Sequence, residues 1–168
     1  MKRLYLVRHA KSSWRDPELD DFDRPLNKRG KRDAPFMGQR LSDADIQPDL
    51  IISSPAKRAA KTAKVIAAKI GYPAKHIQWR ESLYGAGTLT LLQILYEIED
   101  SVRQLMLVGH NPGLTLLAEC LTGESVYNIP TAGVFAVDLT ITSWAQAREG
   151  CGALVFFDYP KKHTERLD

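Results

Sequence analysis

The stretch LYLVRHAKSSW, residues 4–14, decides how the chain is read. Its apolar run 4–7 stops at Arg8 and His9 before any loop-forming residue has appeared, so a charged pair sits where a buried strand ends. Two other junctions have the same form, IISSPAKR at 51–58 and MLVGHNPG at 106–113. Outward from these, short apolar runs recur at 50–52, 105–108, 134–139 and 154–157, several too continuous for strands with a solvated face. Helical patterns lie between them. Ser54-Pro55 supplies a cap and a first-turn proline to a helix with Ala59, Ala63, Ile66 and Ile70 on one face, ended by Gly71. Thr88 caps a helix striped by Leu91, Leu95 and Ile98; Asn111-Pro112 opens another bearing Leu114, Leu117, Ala118 and Leu121; a further helix runs over 27–41. Strands alternating with helices predict an α/β fold of three layers, α/β/α, around a mostly parallel central sheet.

Length favours one domain over 1–168, with 161–168 a short tail, large enough to bury about 70% of its unfolded surface. With 44% hydrophobic and 26% charged residues, the composition is that of a soluble globular protein. The formal charge of +3 is mild and Lys and Arg are interleaved with Asp and Glu, which argues against nucleic acid as a partner. No apolar run approaches the roughly 18 residues of a membrane span, and Arg8 interrupts the first run too early for a signal peptide, so the expected compartment is the cytoplasm and no membrane partner is expected. Cys120 and Cys151 fit neither a CxxC nor a metal-ligand pattern and read as reduced thiols. The segment 11–29, with Asp16, Asp20, Asp21 and Asp23 among basic residues, reads as a long loop, either functional or merely solvated.

In an open α/β sheet, ligands bind beyond the carboxyl ends of the parallel strands, where connections leave for opposite faces. Arg8 and His9 occupy one such end and His110 another, where helix N–H groups beside it could also meet an anion. Arg58, in the first turn of its helix, leans back toward the same rim. Two imidazoles and two guanidiniums suit a phosphoryl group, which guanidinium forks and imidazole donors match. A zinc site needs three or four ligands and would be opposed by the arginines, so no metal is expected.

These residues resemble the histidine phosphatase superfamily, and within it the small SixA-type phosphohistidine phosphatases. LVRHAKSSW is similar to the family's Arg-His-Gly or Arg-His-Ala motif, SSPAKRAAKTA to its second-arginine motif and LVGHNPGL to its second-histidine motif; DRPLNKRG and NIPTAG also resemble SixA-type segments. The resemblance implies a phosphoglycerate mutase-like fold and a phosphatase without cofactor or metal. By it, His9 is the nucleophile that carries the phosphoryl group, while Arg8, Arg58 and His110 bracket its oxygens. Flanking arginines would keep His9 neutral. Glu81, in ESLYG, resembles the proton-donating glutamate of mutase-like members and is the candidate general acid, with a solvated glutamate as the equal alternative. Asn111 is a candidate phosphate donor, although capping is the commoner role. Thr131 lies near His110 by resemblance, and Trp14 either platforms the substrate or packs on the domain; His76 and His163 read as ordinary surface residues. A compact chain without long covering segments implies an open site, and hence a histidine-phosphorylated protein as partner. Two alternatives stay open: a small phosphorylated substrate hydrolysed with Glu81 as acid, and a phosphate-recognition module without turnover.

Overall fold

The computed structural model describes residues 1–164. These form strands β1 (Lys2–Arg8), β2 (Leu50–Ser53), β3 (Gln78–Trp79), β4 (Gln104–Gly109), β5 (Val134–Leu139) and β6 (Gly152–Asp158), and helices α1 (Lys28–Asp43), α2 (Lys57–Ile70), α3 (Thr88–Tyr96), α4 (Gly113–Thr122) and α5 (Lys161–Thr164). The strands make one sheet in the order β3-β2-β4-β1-β5-β6. β3, β2, β4 and β1 run parallel, whereas β5 pairs antiparallel with β1 and β6 antiparallel with β5. The parallel expectation therefore holds for the pairings of β3, β2, β4 and β1 and fails for the two pairings of β5, which alone runs against the other five strands. The exceptions have a cause in the connections. After α4 the segment 123–133 returns to the carboxyl end of β1, where the Gly133 carbonyl accepts from Arg8 N at 3.1 Å, so β5 can only run back along β1. Between β5 and β6 there is only a 3-10 turn at Trp144–Gln146, too short for a parallel crossover.

Period-two alternation in β1 builds both halves of the core. Leu4 and Leu6 pack with Leu91, Leu95, Leu114 and Leu117 of α3 and α4, while Tyr5 and Val7 pack with Met37, Ala63 and Ile66 of α1 and α2. The helices thus cover opposite faces of the sheet, giving three layers. Burying a Leu or Met completely contributes roughly 1.5–3 kcal/mol, so these contacts carry most of the driving force. The 154–157 run is not as buried as its composition implies: Phe156 and Phe157 pack against the two cores, but Leu154 is 44% and Val155 38% exposed, because β6 is an edge strand with a neighbour, β5, on one side only.

Several boundaries shift. α1 is capped by Asn27, whose side chain accepts from Gly30 N at 2.8 Å. α2 begins after Ala56 rather than at Ser54-Pro55, and α3 begins with Thr88 itself after Gly87. Of the expected tail, Lys161–Thr164 form α5, and 165–168 lie outside the described residues. His163 is not an ordinary surface residue: its ring nitrogen meets Asp158 at 2.6 Å and its ring lies against Phe36. Cys120 and Cys151 are free thiols. Among the described residues, no helix is long and apolar enough to cross a membrane.

Candidate active site

Neighbouring strands β1 and β4 send their chains to opposite faces, β1 toward α1 and β4 toward α4. Their carboxyl ends, with that of β2, are stitched together: His9 N donates to Gly109 O at 3.0 Å and Ser54 N to Val108 O at 2.9 Å. The split between them is the crevice where an open α/β sheet binds ligands.

Four of the residues expected from the sequence converge there. The ring centroids of His9 and His110 are 5.2 Å apart, and Arg58 Nε donates toward His9 Nε2 at 3.4 Å. Arg8 completes the group, close enough that its charge acts on both imidazoles and that of Arg58 acts on it. His9 is 7% and Arg58 6% exposed, so both are nearly dry. His9 Nδ1 lies 2.7 Å from the Ala10 carbonyl, which can only accept. The proton therefore sits on Nδ1, and a neutral ring presents its Nε2 lone pair toward Arg58. The imidazole is held neutral, its pKa pushed down to about 3; burial is the main cause, and His110, Arg58 and Arg8 add smaller contributions. The sequence reading assigned this to the arginines; desolvation does more, because the ring loses nearly all its water.

His110 Nε2 is 2.8 Å from Ser54 Oγ, and burial, then Arg58, lower its pKa to about 4. A neutral His110 that accepts the Ser54 hydroxyl proton carries its own proton on Nδ1. That Nδ1 is buried and meets no partner among the described residues, as does Arg8 Nε, although Arg8 Nη1 donates to the Ile129 carbonyl at 3.1 Å. Leaving a buried donor unpaired costs roughly 1–3 kcal/mol. An acceptor-rich group that reached either atom would satisfy it.

The segment 11–27 supplies what the sequence did not identify. It folds back on itself through Ser13 N to Pro25 O at 2.8 Å and Asn27 N to Lys11 O at 3.0 Å. Lys11 crosses the first turn of α1 so closely that a Cβ on Gly30 would stand 2.2 Å from its carbonyl oxygen, which explains the glycine of NKRG. Arg24 is the staple, donating to Ser13 O at 2.9 Å, Ser12 Oγ at 2.5 Å and Asp21 Oδ1 at 2.9 Å. At the far end Asp21 meets Arg58, its Oδ2 accepting from Nη2 at 2.9 Å and its carbonyl from Nη1 at 2.6 Å. Tyr84 donates to the same Oδ2 at 2.5 Å and sets its ring edge-on to His110, centroids 5.3 Å apart. Asp21 is consequently held ionised well below the ordinary carboxylate range, by Tyr84 first and then by Arg24 and Arg58. A buried arginine needs an acceptor, but nothing in the spacing of four aspartates marks which one supplies it.

The remaining candidates lie elsewhere. Glu81 is exposed on the 3-10 turn Glu81–Leu83, and its carboxylate makes no hydrogen bond or ion pair among the described residues; Tyr84 of the same ESLYG stretch is the member that touches the site. Asn111 is committed to structure: its Oδ1 accepts from Thr115 N at 3.2 Å and Oγ1 at 2.8 Å, and its Nδ2 donates to Ile129 O at 2.9 Å and Asn128 Oδ1 at 3.0 Å. From one residue before the cap position its side chain holds the first turn of α4 and ties down 128–129, with no side-chain donor left for a phosphate. Leu114 N is already bonded to His110 O, so the start of α4 is less open to an anion than expected. Thr131 precedes Ala132, whose N–H is shared by the Arg8 and His9 carbonyls at 3.1 Å, so it borders the end of β1. Trp14 is 74% exposed and stacks on the Arg24 guanidinium, 3.2 Å from carbon to ring centroid.

A crevice of two guanidiniums and two neutral imidazoles at a topological switch has the donor chemistry that matches a phosphoryl group. Residues 4–88 match the profile of the histidine phosphatase superfamily (branch 1). A Mycobacterium tuberculosis protein described as uncharacterised is 34% identical over 165 residues, 92% of this chain and 100% of its own. The chain belongs to the histidine phosphatase superfamily. An uncharacterised chloroplastic protein of Arabidopsis thaliana is 34% identical over 155 residues, 87% of this chain and 70% of its own. A structure described as a candidate phosphohistidine phosphatase SixA from Agrobacterium tumefaciens matches with TM-score 0.80 at 30% identity, covering 95% of this chain and 98% of that one. SixA complexed with tungstate matches in fold with TM-score 0.82 at 18% identity, over 95% and 98% of the two chains. The fold is the phosphoglycerate mutase-like α/β fold, and family and fold together support a phosphatase.

Proposed function

We propose that this chain removes the phosphoryl group from phosphohistidine on a protein, through a covalent phosphohistidine on its own His9. The observation that carries the reading is the locked tautomer of His9. Nδ1 is tied to the Ala10 carbonyl and burial keeps the ring neutral, so the Nε2 lone pair is fixed beside Arg58. Nε2 attacks phosphorus in line; its bond to phosphorus forms as the bond to the leaving imidazole breaks. Water then cleaves the His9 phosphoramidate and releases inorganic phosphate. The charge on the equatorial oxygens is neutralised by Arg8 and Arg58, with Nδ1–H of His110 as a further donor, so this reading asks for no metal. A leaving imidazole whose second nitrogen carries a proton departs neutral and needs no strong acid, which agrees with the exposed, unpartnered Glu81. The SixA neighbours point to the same substrate class.

Two measurements test the proposal. Rapid acid and alkaline quench of enzyme mixed with a histidine-phosphorylated protein should trap acid-labile, base-stable phosphate on the enzyme, absent in H9N. The same preparation should turn over that protein faster than sugar phosphates at equal concentration. Rapid sugar phosphate hydrolysis with no dephosphorylation of the protein would reverse the substrate assignment; turnover without phosphate on His9 would remove the covalent step.

A further inference from the structure

Beside the crevice lies a cavity of 660 Å³ whose apolar lining includes Phe22 and Leu26 and whose rim carries Lys31, Lys57, Lys61 and Lys64. Its walls are chain neighbours of the site: Phe22 follows Asp21 and Lys57 precedes Arg58. Lys57, Lys61 and Lys64 recur every four and three residues along one exposed face of α2, and Lys31 faces them from α1. Among the described residues, the only acid on the lining is Asp23. Lys64 Nζ stands 5.5 Å from the Trp79 ring. Lys31, Lys57 and Lys61 have no ion pair or side-chain hydrogen bond among the described residues. Ammonium groups gathered on one cleft repel one another and contribute nothing to folding there, so their arrangement is better explained by something anionic that they meet.

We propose that this groove receives an acidic segment of the phosphoprotein substrate, a few residues away from the phosphorylated histidine; the proposal rests on the phosphohistidine reading above. Carboxylates would meet the lysine rim while aliphatic side chains cover the floor. The chemistry favours protein over nucleic acid, because Phe22 sets its ring edge-on to Tyr84, centroids 5.2 Å apart, rather than offering a free platform on which a base could stack. Lysines act here as point charges, which suits flexible carboxylates without fixed geometry.

The test uses two phosphohistidine peptides of equal length, one flanked by Glu and Asp and the other by Gln and Asn. At low salt the acidic peptide should have a kcat/KM about tenfold higher, the product of about twofold from each of three exposed ion pairs. The ratio should fall toward one in 0.5 M salt and in K31E/K57E/K61E, whose folding is checked by its thermal transition. Because the readout is a ratio within each variant, a general change in activity cancels. A labelled, unphosphorylated acidic peptide followed by anisotropy should bind the wild type and not the triple variant. A wild-type ratio within twofold of one overturns the groove and leaves the phosphohistidine reading standing. Binding of the acidic peptide without turnover of either phosphopeptide supports the groove and overturns that reading. Displacement of the peptide by a short single-stranded RNA at lower concentration than by free acidic peptide overturns the choice of partner.

Discussion

Replacing Asp21 with Asn is the sharpest probe of how the site is held together. The carboxylate accepts from Arg58, Tyr84 and Arg24 at once, and an amide of the same shape can offer only one oxygen. Whichever way the amide turns, an NH2 group faces a donor. A hydrogen bond to a charged group contributes roughly 1.5–3 kcal/mol. The Asp21 side chain is 47% exposed, so solvent screening puts the loss at the lower end of that range. At 1.36 kcal/mol per tenfold, about 1.5 kcal/mol is roughly a tenfold fall in kcat/KM, far short of the loss on the order of 10³ expected for R58A. The bond from Arg58 Nη1 to the Asp21 carbonyl survives in D21N, which is why the effect should be partial. The assay is steady-state turnover of a histidine-phosphorylated protein by wild type, D21N, R58A and the double variant. If Asp21 acts by holding Arg58, the double variant is no slower than R58A alone, because the two losses are one loss. Additive losses, or a D21N rate within twofold of wild type, would refute the reasoning.

Two further expectations concern protons. E81Q should retain phosphohistidine turnover to within about threefold, since Glu81 stands exposed and unpartnered; a loss on the order of 10² on a phosphohistidine substrate, the size of a missing general acid, would make Glu81 catalytic after all. The buried imidazoles also predict how stability depends on pH. His9 and His110 titrate near 3 and 4 in the folded chain against 6.5 when free, so between those values the unfolded state binds more protons. Their contribution is complete above about pH 6.5 and is lost as pH falls toward 4. The melting temperature should therefore drop steadily over that window and drop less in H9N/H110N; equal slopes in both proteins would show that the two rings are not buried neutral.

Much of the fold was legible because it is written in short-range patterns. Leu4, Tyr5, Leu6 and Val7 alternate between two cores, as the continuous apolar run and the strand-like length lead one to expect. Arg8, His9 and His110 could be located because a charged residue directly after such a run has to lie at its end. Arg58 followed from helix geometry, which sends a first-turn side chain back toward the rim. What misled the reading was context. The 154–157 run looks as buried as 105–108 yet lies on an edge, since neither its residues nor their order state whether strands flank them on both sides. Asn111 had two physically sound roles, and only the positions of Thr115 and Ile129 chose between them.

The layers, the strand ends with Arg8, His9 and His110 upon them, and Arg58 in a helical first turn could be read from the chain, because each depends on neighbours a few residues away. The tertiary structure alone decided which acceptor Arg58 takes, why His9 is neutral and which imidazole nitrogen is free. Those answers depend on desolvation and on Asp21, Tyr84 and Ser54 arriving from distant stretches, and contacts across such separations leave no periodicity in the chain.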